Sequence, residues 1–286
     1  MRVYRDYDQA ALDAQYNNQA TVPDYTVYVR RYAEESRAAR NQLRHIAGVA
    51  YGAEPSARLD IFPAPMEKAP VLVFLHGGGW QLLSKDDSAF AAPALVAAGA
   101  CYVALDFPSI PVASLDEIAA QIRAAIAWMH AHIADHGGDP DRLFVAGHSS
   151  GAHLAGLLLR DDWQAGLGLP LDVIKGVLLV SGMYDLEPVR LSYRNARLQL
   201  DRAAVERNSL LRALPATGCP LVIAYGEHET DEFKRQSLSL FRAWRERKYP
   251  ARSLQLNGCH HFDVIFDLAD PGGALHLLAL RQMGLK

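Results

Sequence analysis

Residues 143–159 read LFVAGHSSGAHLAGLLL, in which a glycine-flanked serine separates two apolar runs. The first run, 143–146, has the length and composition of a buried strand, and the second run favours a helix. A serine in the tight turn between such elements adopts a strained backbone conformation that exposes its hydroxyl to a cleft. Gly147 and Gly151 are small where the strand and helix pass each other. The pattern predicts that Ser149 is a nucleophile, and the alternative is an ordinary glycine-rich turn.

The composition favours one large domain, which we expect to span residues 1–286. Half of the residues are hydrophobic, which is enough for a single extensive core. The formal net charge is −3 and no Lys/Arg run occurs, so we expect no nucleic-acid partner. Four of the first eight residues are charged and these residues contain no apolar h-region, and no apolar run approaches the roughly 20 residues of a spanning helix. We therefore expect neither a secretory signal nor a membrane association.

Cys101, Cys219 and Cys259 form no Cys-x-x-Cys pair, and their interpretation as buried free thiols favours a cytoplasmic location.

Apolar runs of strand length alternate with longer stretches of helical periodicity. This alternation predicts an α/β fold, with a mostly parallel, doubly wound sheet and helices on both faces. In such sheets the ligand cleft lies beyond the carboxyl ends of the strands. The predicted strands are residues 59–62, 71–75, 101–105, 143–146, 176–180, 221–225 and 253–256, and the main predicted helices are residues 115–134 and 232–248.

Two segments fall outside this alternation. Residues 1–50 are polar and helical in pattern, with interspersed tyrosines, and residues 186–215 resemble a series of short helices. We expect both to cover the cleft as a small helical lid, the first as an N-terminal lid segment and the second as a cap insertion. Peripheral helices that only cover the core are the alternative.

A serine hydroxyl needs a base within hydrogen-bond reach and a third group that orients the base. When a strand-turn-helix motif carries the serine, the acid and then the histidine follow it along the chain. His260 and His261 follow the last predicted strand, and we prefer His261 as the base. The acid should follow the strand at 221–225, where we choose Glu229 by its position and keep Asp231 as the alternative.

A glycine run supplies candidate donors for a developing oxyanion. Residues 76–80 read HGGGW after a predicted strand, and glycines let backbone N–H groups approach a substrate closely. This is an oxyanion motif of lipases and esterases. We assign the oxyanion hole to the amides of Gly78, Gly79 and Ser150. Trp80 is predicted to line the acyl side of the pocket, with a core position as the alternative.

The histidines close to the serine are assigned structural roles. His148 lies inside the turn and should point away from Ser149, and His153 lies one helical turn further on. The histidines of the chain show no metal-ligand spacing, so we expect neither a metal ion nor a cofactor.

The chain resembles the kynurenine formamidase (arylformamidase) branch of the α/β-hydrolase superfamily. The glycine run and the serine turn are typical of the whole superfamily, whereas other stretches are particular to this branch. The matching stretches are HGGGW, SKDDSAF (84–90), GHSSGAHLAGLLL, LLVSGMYDLEPV (178–189), Arg207-Asn208-Ser209, EFKRQS (232–237) and GCHHFDVI (258–265).

The resemblance implies hydrolysis of N-formylkynurenine to kynurenine and formate, together with cleavage of simple aryl esters. It places the nucleophile on Ser149, the base on His261 and the acid on Glu229, where the family has Asp. The family often has Tyr at the position of Gly79, so its absence could widen the pocket. The segment 106–111 also departs from the family pattern.

We therefore expect a serine hydrolase that acts on a small aromatic amide or ester, with Trp80 and Tyr184 as substrate contacts. For Tyr184 a core position is an equal alternative. A carboxylesterase or another N-acyl amide hydrolase is the competing function, and a non-catalytic binding module is a third. The sequence leaves open whether the chain forms a homodimer.

Overall fold

The computed structural model describes residues 1–161 and 163–286. Within these residues the chain forms a sheet of eight strands in the order β1-β2-β4-β3-β5-β6-β7-β8. The strands are β1 (Ile46–Ala50), β2 (Arg58–Phe62), β3 (Ala69–Leu75), β4 (Cys101–Leu105), β5 (Gly138–His148), β6 (Ile174–Val180), β7 (Leu221–Gly226) and β8 (Ala251–Leu256).

The sheet is antiparallel at one edge and parallel elsewhere. β1 pairs antiparallel with β2 and β2 antiparallel with β4, whereas the remaining neighbours are parallel. Every residue of β3 and β4 is buried, as expected for central strands covered on both faces. The carboxyl ends of β3, β5, β6 and β7 therefore meet at one edge of the sheet.

Helices cover both faces of the sheet and divide the core in two. One apolar cluster includes residues of α1, α4, α5 and α9, and the other includes residues of α2, α3 and α10. The helices are α1 (Gln9–Tyr16), α2 (Thr26–Gln42), α3 (Ala92–Ala97), α4 (Leu115–His132), α5 (Ser150–Leu157), α6 (Glu187–Leu191), α7 (Asn195–Leu198), α8 (Arg202–Arg207), α9 (Asp231–Glu246) and α10 (Ala274–Met283).

Local sequence explains where the longest of these helices starts and which face it buries. Ser114 accepts a hydrogen bond from the amide of Glu117, whose carboxylate accepts one from the Ser114 amide in return. This reciprocal capping satisfies two donors that the first turn of α4 would otherwise leave unpaired. Ile118, Ile122 and Ile126 then recur on the face that packs against the sheet.

The α/β fold with a mostly parallel sheet and helices on both faces is confirmed. All seven predicted strands are present, but β1 was not predicted and lies in the N-terminal segment that we expected to be helical. The segment 186–215 contains α6, α7 and α8 without a strand. No helix in the described part of the chain is both long and apolar enough to cross a membrane.

Candidate active site

Ser149 lies in the turn between β5 and α5, with a backbone conformation that side chains rarely adopt. Its φ is 55° and its ψ is −120°, a strain that costs on the order of 1–3 kcal/mol. Its amide donates to the Val180 carbonyl at 2.8 Å, which fixes the turn to the end of β6. A Cβ on Gly147 would overlap the carbonyl of Gly151, and a Cβ on Gly151 would overlap the carbonyl of Leu75. Glycine is therefore required on both sides of this turn.

The structure brings Ser149, His261 and Glu229 into one hydrogen-bonded chain. The Nε2 atom of His261 lies 2.9 Å from the Oγ atom of Ser149. The Nδ1 atom of His261 lies 3.1 Å from the Oε2 atom of Glu229. All three residues are buried, with exposed fractions of 8%, 4% and 4%. An imidazole in this position can remove the serine proton while the carboxylate stabilises the imidazolium that forms.

The carboxylate of Glu229 is fixed through its second oxygen. The hydroxyl of Ser181 donates to Oε1, and the amide of Gly226 donates to the same atom at 2.8 Å. Asp231, the alternative acid, is exposed at the first position of α9. The geometry therefore selects Glu229 as the carboxylate in contact with the imidazole.

Ser181 belongs to this site but was missed by our reading of the sequence. It directly follows β6, and β6 is hydrogen-bonded to β7, the strand that leads to Glu229. The carboxyl ends of neighbouring parallel strands lie side by side. The position of Ser181 directly after β6 was therefore the sequence signal that could have identified it.

The side chain of His148 contacts the backbone of His261 and not the side chain of Ser149. Its Nε2 atom lies 2.8 Å from the backbone carbonyl of His261, and the two rings are 5.1 Å apart. Burial, with a further contribution from the nearby His261, lowers the pKa of His148 to about 3. The neutral ring therefore donates its Nε2 proton to the carbonyl and fixes the backbone that carries the base.

His260 and His153 point elsewhere. His260 accepts hydrogen bonds from the amides of Phe262 and Asp263 and packs edge-on against Tyr28 at 4.5 Å. The Nε2 atom of His153 lies 2.7 Å from the Asn208 carbonyl, and burial lowers the pKa of His153 to about 4. These contacts stabilise the fold around the site.

The glycine run lies against the nucleophile. A Cβ on Gly77 would lie 3.3 Å from the Cβ of Ser149, so the run passes close to the serine. Gly78 has a φ of +99°, and a Cβ there would overlap the carbonyl of Leu82. The amides of Gly78, Gly79 and Ser150 donate no hydrogen bond to residues that the structure describes. They are therefore unpaired donors at the start of α5 and in the glycine run that passes Ser149 at Gly77.

Gly79 does not widen a cavity as its small size suggested. Its φ is +63°, and a Cβ on it would lie 2.9 Å from the Nη1 atom of Arg194. The guanidinium of this arginine, which precedes α7, occupies the space that a side chain at position 79 would take. We did not identify Arg194 from the sequence, because it belongs to no motif and a short irregular segment carries it.

The two aromatic residues that we expected to contact substrate are buried in the core. Trp80 is 1% exposed, and its indole N–H donates to the Nδ1 atom of His153 at 3.2 Å. Tyr184 is 0% exposed, and its ring packs against Gly156. Neither residue therefore presents a surface that a substrate can touch in this conformation. Both take the core position that we had considered as the alternative.

The N-terminal helices contact the loop that carries His261 and the loop that carries Glu229. From α2, the hydroxyl of Tyr32 donates to the carbonyl of Phe262, next to the base. From α1, the Gln15 carbonyl accepts a hydrogen bond from the Thr230 hydroxyl at 2.7 Å, next to the acid. This segment therefore stabilises the positions of both loops.

The same residues offer no evident metal centre. Within the described residues, no three His, Cys, Asp or Glu side chains converge as a metal ion would require.

Comparisons with known proteins agree with this architecture. The BD-FAE family model matches residues 59–162, which include most of β2, all of β3 to β5 and the serine turn. Kynurenine formamidase of Salmo salar is 31% identical over 90% of this chain and 88% of its own length. The esterase LipC of Mycobacterium tuberculosis is 29% identical over 82% of this chain and 64% of its own length.

A solved esterase structure from Pyrobaculum calidifontis superimposes with a TM-score of 0.73 at 19% identity. The match covers 93% of this chain and 94% of the esterase, and it shows a shared fold. The identity with the formamidase over almost the whole of both chains shows more than the fold. The protein is a hydrolase, and the chain belongs to the kynurenine formamidase family within the α/β-hydrolase superfamily.

Proposed function

We propose that this protein is a serine hydrolase that cleaves an aryl formamide of the N-formylkynurenine type, or a short-chain acyl ester, through an acyl-enzyme on Ser149. The observation that carries the proposal is the hydrogen-bonded chain from Ser149 through His261 to Glu229, together with unpaired backbone amides at the start of α5 and in the glycine run. This arrangement contains the nucleophile, base, orienting acid and oxyanion donors that acyl transfer requires.

In the first half of the reaction, the Nε2 atom of His261 takes the proton of Ser149 as the serine oxygen attacks the formyl carbon. The imidazolium is stabilised by Glu229, which accepts the Nδ1 proton in a hydrogen bond. His261 then donates its Nε2 proton to the leaving arylamine nitrogen, and the C–N bond breaks. The products of this half are the free amine and a formyl ester of Ser149.

The negative charge that develops on the carbonyl oxygen needs donors that are already in place. The amides of Gly78, Gly79 and Ser150 are assigned this role, because they lie at the start of α5 and in the glycine run that faces Ser149. Removing one such donor in enzymes of this kind typically costs about 2.7–4 kcal/mol of transition-state stabilisation. Their backbone origin makes them rigid, so little reorganisation accompanies the reaction.

In the second half, water replaces the amine. His261 takes a proton from the water as its oxygen attacks the formyl ester, and then returns that proton to Ser149. Formate leaves, and the enzyme regains its starting state. The net reaction consumes one amide and one water and yields one amine, one formate and one proton.

Two observations support a small acyl group. Ser149 is 8% exposed, and Trp80 and Tyr184 fill the neighbouring core rather than lining an open pocket. A formyl group is the smallest acyl group that such a site can accept. The relatives named kynurenine formamidase support the aryl formamide as substrate class.

A carboxylesterase, or another N-acyl amide hydrolase, is the second candidate function. The similarity to the esterase LipC favours it. The same catalytic residues would serve, since ester and amide cleavage share the acyl-enzyme mechanism.

A turnover panel separates the two candidates. N-formylkynurenine is compared with formyl, acetyl and butyryl esters and anilides of the same aromatic group, and Ser149→Ala is the blank. We expect formyl compounds to be cleaved with the highest kcat/KM. If aryl esters are cleaved while N-formylkynurenine is untouched, the formamide assignment is wrong. A strong preference for formyl over every longer acyl chain excludes the carboxylesterase.

The cellular location and the oligomeric state of the protein stay predictions. A cytoplasmic location rests on the three free thiols, of which Cys101 is buried. Fractionation of the source cells tests it, and light scattering of the purified protein tests whether a homodimer forms.

A further inference from the structure

One cation of the cap segment lies at the glycine run. Arg194 directly precedes α7, and its Nη1 atom occupies the position that a side chain on Gly79 would take. The opposite end of the run, Gly77, lies against Ser149. Three residues span at most about 10 Å of extended chain, so the guanidinium lies within reach of a substrate bound at the serine.

The guanidinium is held in place from one side. Its Nε atom donates to the Tyr16 carbonyl at 2.8 Å. Tyr16 is the last residue of α1, and the carbonyl end of a helix attracts a cation. The backbone amide of Arg194 also lies 3.4 Å from the Ser192 hydroxyl. The side-chain anchor uses Nε, and Nη1 lies at Gly79, while the guanidinium also lies 5.9 Å from the centre of the Tyr193 ring.

Arg194 also lacks a counter-ion in the described part of the chain, whereas three other arginines of the cap segment have one. Across residues 1–161 and 163–286, no carboxylate lies within ion-pair distance of its guanidinium, although burial lowers the pKa of Arg194. A partly buried charge without a partner is costly. By contrast, three other arginines of the cap segment each pair with a carboxylate, namely Arg190 with Glu187, Arg207 with Asp116 and Arg212 with Asp185.

We propose that Arg194 binds a free carboxylate of the substrate, so that the enzyme selects acyl amides or esters that carry a carboxylate in the leaving group. The inference rests on the proposed acyl transfer at Ser149 and names the substrate class of that site. A guanidinium binds a carboxylate through two parallel N–H donors, which gives direction as well as affinity. The substrate then bridges the glycine run, with its scissile carbonyl at Ser149 and its carboxylate at Arg194.

The test compares substrates that differ only in this charge. N-formylkynurenine is paired with its primary amide, in which a carboxamide replaces the carboxylate. We expect the wild-type protein to favour the carboxylate about 10- to 100-fold in kcat/KM, the range of a charged hydrogen bond. Arg194→Gln should bring this ratio close to one, mainly through a higher KM for the carboxylate substrate. Arg194→Lys retains the charge and should restore part of the preference.

Arg197→Gln is the matched control. Arg197 lies on α7, is exposed and contacts Gln81 at 3.3 Å, so the variant makes the same change of charge at a guanidinium that does not lie at the Gly79 position. We expect it to keep the wild-type ratio. Circular dichroism and thermal melting check that each variant is folded.

A second pair of substrates separates this inference from the formamidase assignment. The acetyl ester of 3-(4-hydroxyphenyl)propanoate is compared with the corresponding propanamide. If formyl compounds are not cleaved but this ester pair shows the Arg194-dependent ratio, the formamidase assignment fails and the role of Arg194 holds. A wild-type ratio near one on every cleaved pair overturns the role of Arg194. Equal loss of both members of a pair in Arg194→Gln shows a structural role and also overturns it.

Discussion

Replacing Glu229 with glutamine changes one atom and should nearly abolish turnover. In the wild-type protein, Oε1 of Glu229 accepts from the Ser181 hydroxyl and the Gly226 amide, and Oε2 faces Nδ1 of His261. Because Ser181 and Gly226 both donate, the glutamine must turn its oxygen towards them. Its NH₂ group then faces Nδ1 of His261.

This arrangement reverses the tautomer of the imidazole. An NH₂ group can only donate, so Nδ1 must accept, and the ring proton moves to Nε2. The protonated Nε2 then faces the Ser149 oxygen at 2.9 Å and cannot take its proton. A wrong tautomer of this kind reduces kcat about 10⁴-fold, which corresponds to about 5.4 kcal/mol. The side chain keeps its shape, so we expect the fold to be retained.

The assay is kcat on an aryl ester and on N-formylkynurenine, with circular dichroism as the check on folding. Asp231→Asn is the matched control, because it makes the same change at an exposed carboxylate two residues away and should keep near-normal rates. A Glu229→Gln enzyme within tenfold of the wild-type kcat refutes the reasoning. So does an Asp231→Asn enzyme that is equally impaired.

Three further predictions concern the nucleophile, the base loop and the response to acid. Ser149→Ala and His261→Ala should each abolish turnover without unfolding the chain. Ser149→Ala should also lose labelling by a fluorophosphonate. Retained labelling would contradict the role of the serine. Tyr32→Phe removes a hydrogen bond to the loop that carries His261. It should lower the free energy of unfolding by about 0.5–1.5 kcal/mol, as measured by urea titration. An unchanged urea midpoint of unfolding would show that the bond contributes nothing to stability. Folding lowers the pKa of His148 from 6.5 to about 3 and the pKa of His153 from 6.5 to about 4. Below about pH 6.5 the unfolded chain therefore binds more protons than the folded chain. The free energy of unfolding should consequently fall as the pH drops below this value. The loss should approach 1.4 kcal/mol per pH unit for each ring down to about pH 4, and a His153→Gln protein with the wild-type pH slope would count against this assignment.

The parallel strands were predictable because each is a nearly continuous apolar run. β1 was missed because it is a short edge strand that contains Gly48, and its residues are at least partly exposed. Its strand conformation follows from pairing with β2, which a local pattern does not encode. The strand conformation of β1 therefore depends on its pairing with β2 and not on its own sequence pattern.

The residues of the candidate site also differ in how far the sequence predicts them. Ser149 lies in a local strand-turn-helix pattern, and His261 follows the last strand at the sheet edge, so the sequence predicts both, and the structure places their side chains 2.9 Å apart. The choice between Glu229 and Asp231 depends on where a short loop ends and α9 begins, which composition does not determine. Whether Trp80 faces a cleft or the core depends on the packing of His153 from another element. Side-chain direction of this kind is a property of the assembled fold.

The amino-terminal helix α1 joins two tasks that are usually separable. Its last carbonyl anchors Arg194, and the preceding residue, Gln15, anchors Thr230 beside the acid. Shortening the protein from its amino terminus would therefore weaken substrate choice and catalytic rate together. An engineer who seeks a smaller catalyst, or who fuses a partner to this end, should leave these first helical turns intact.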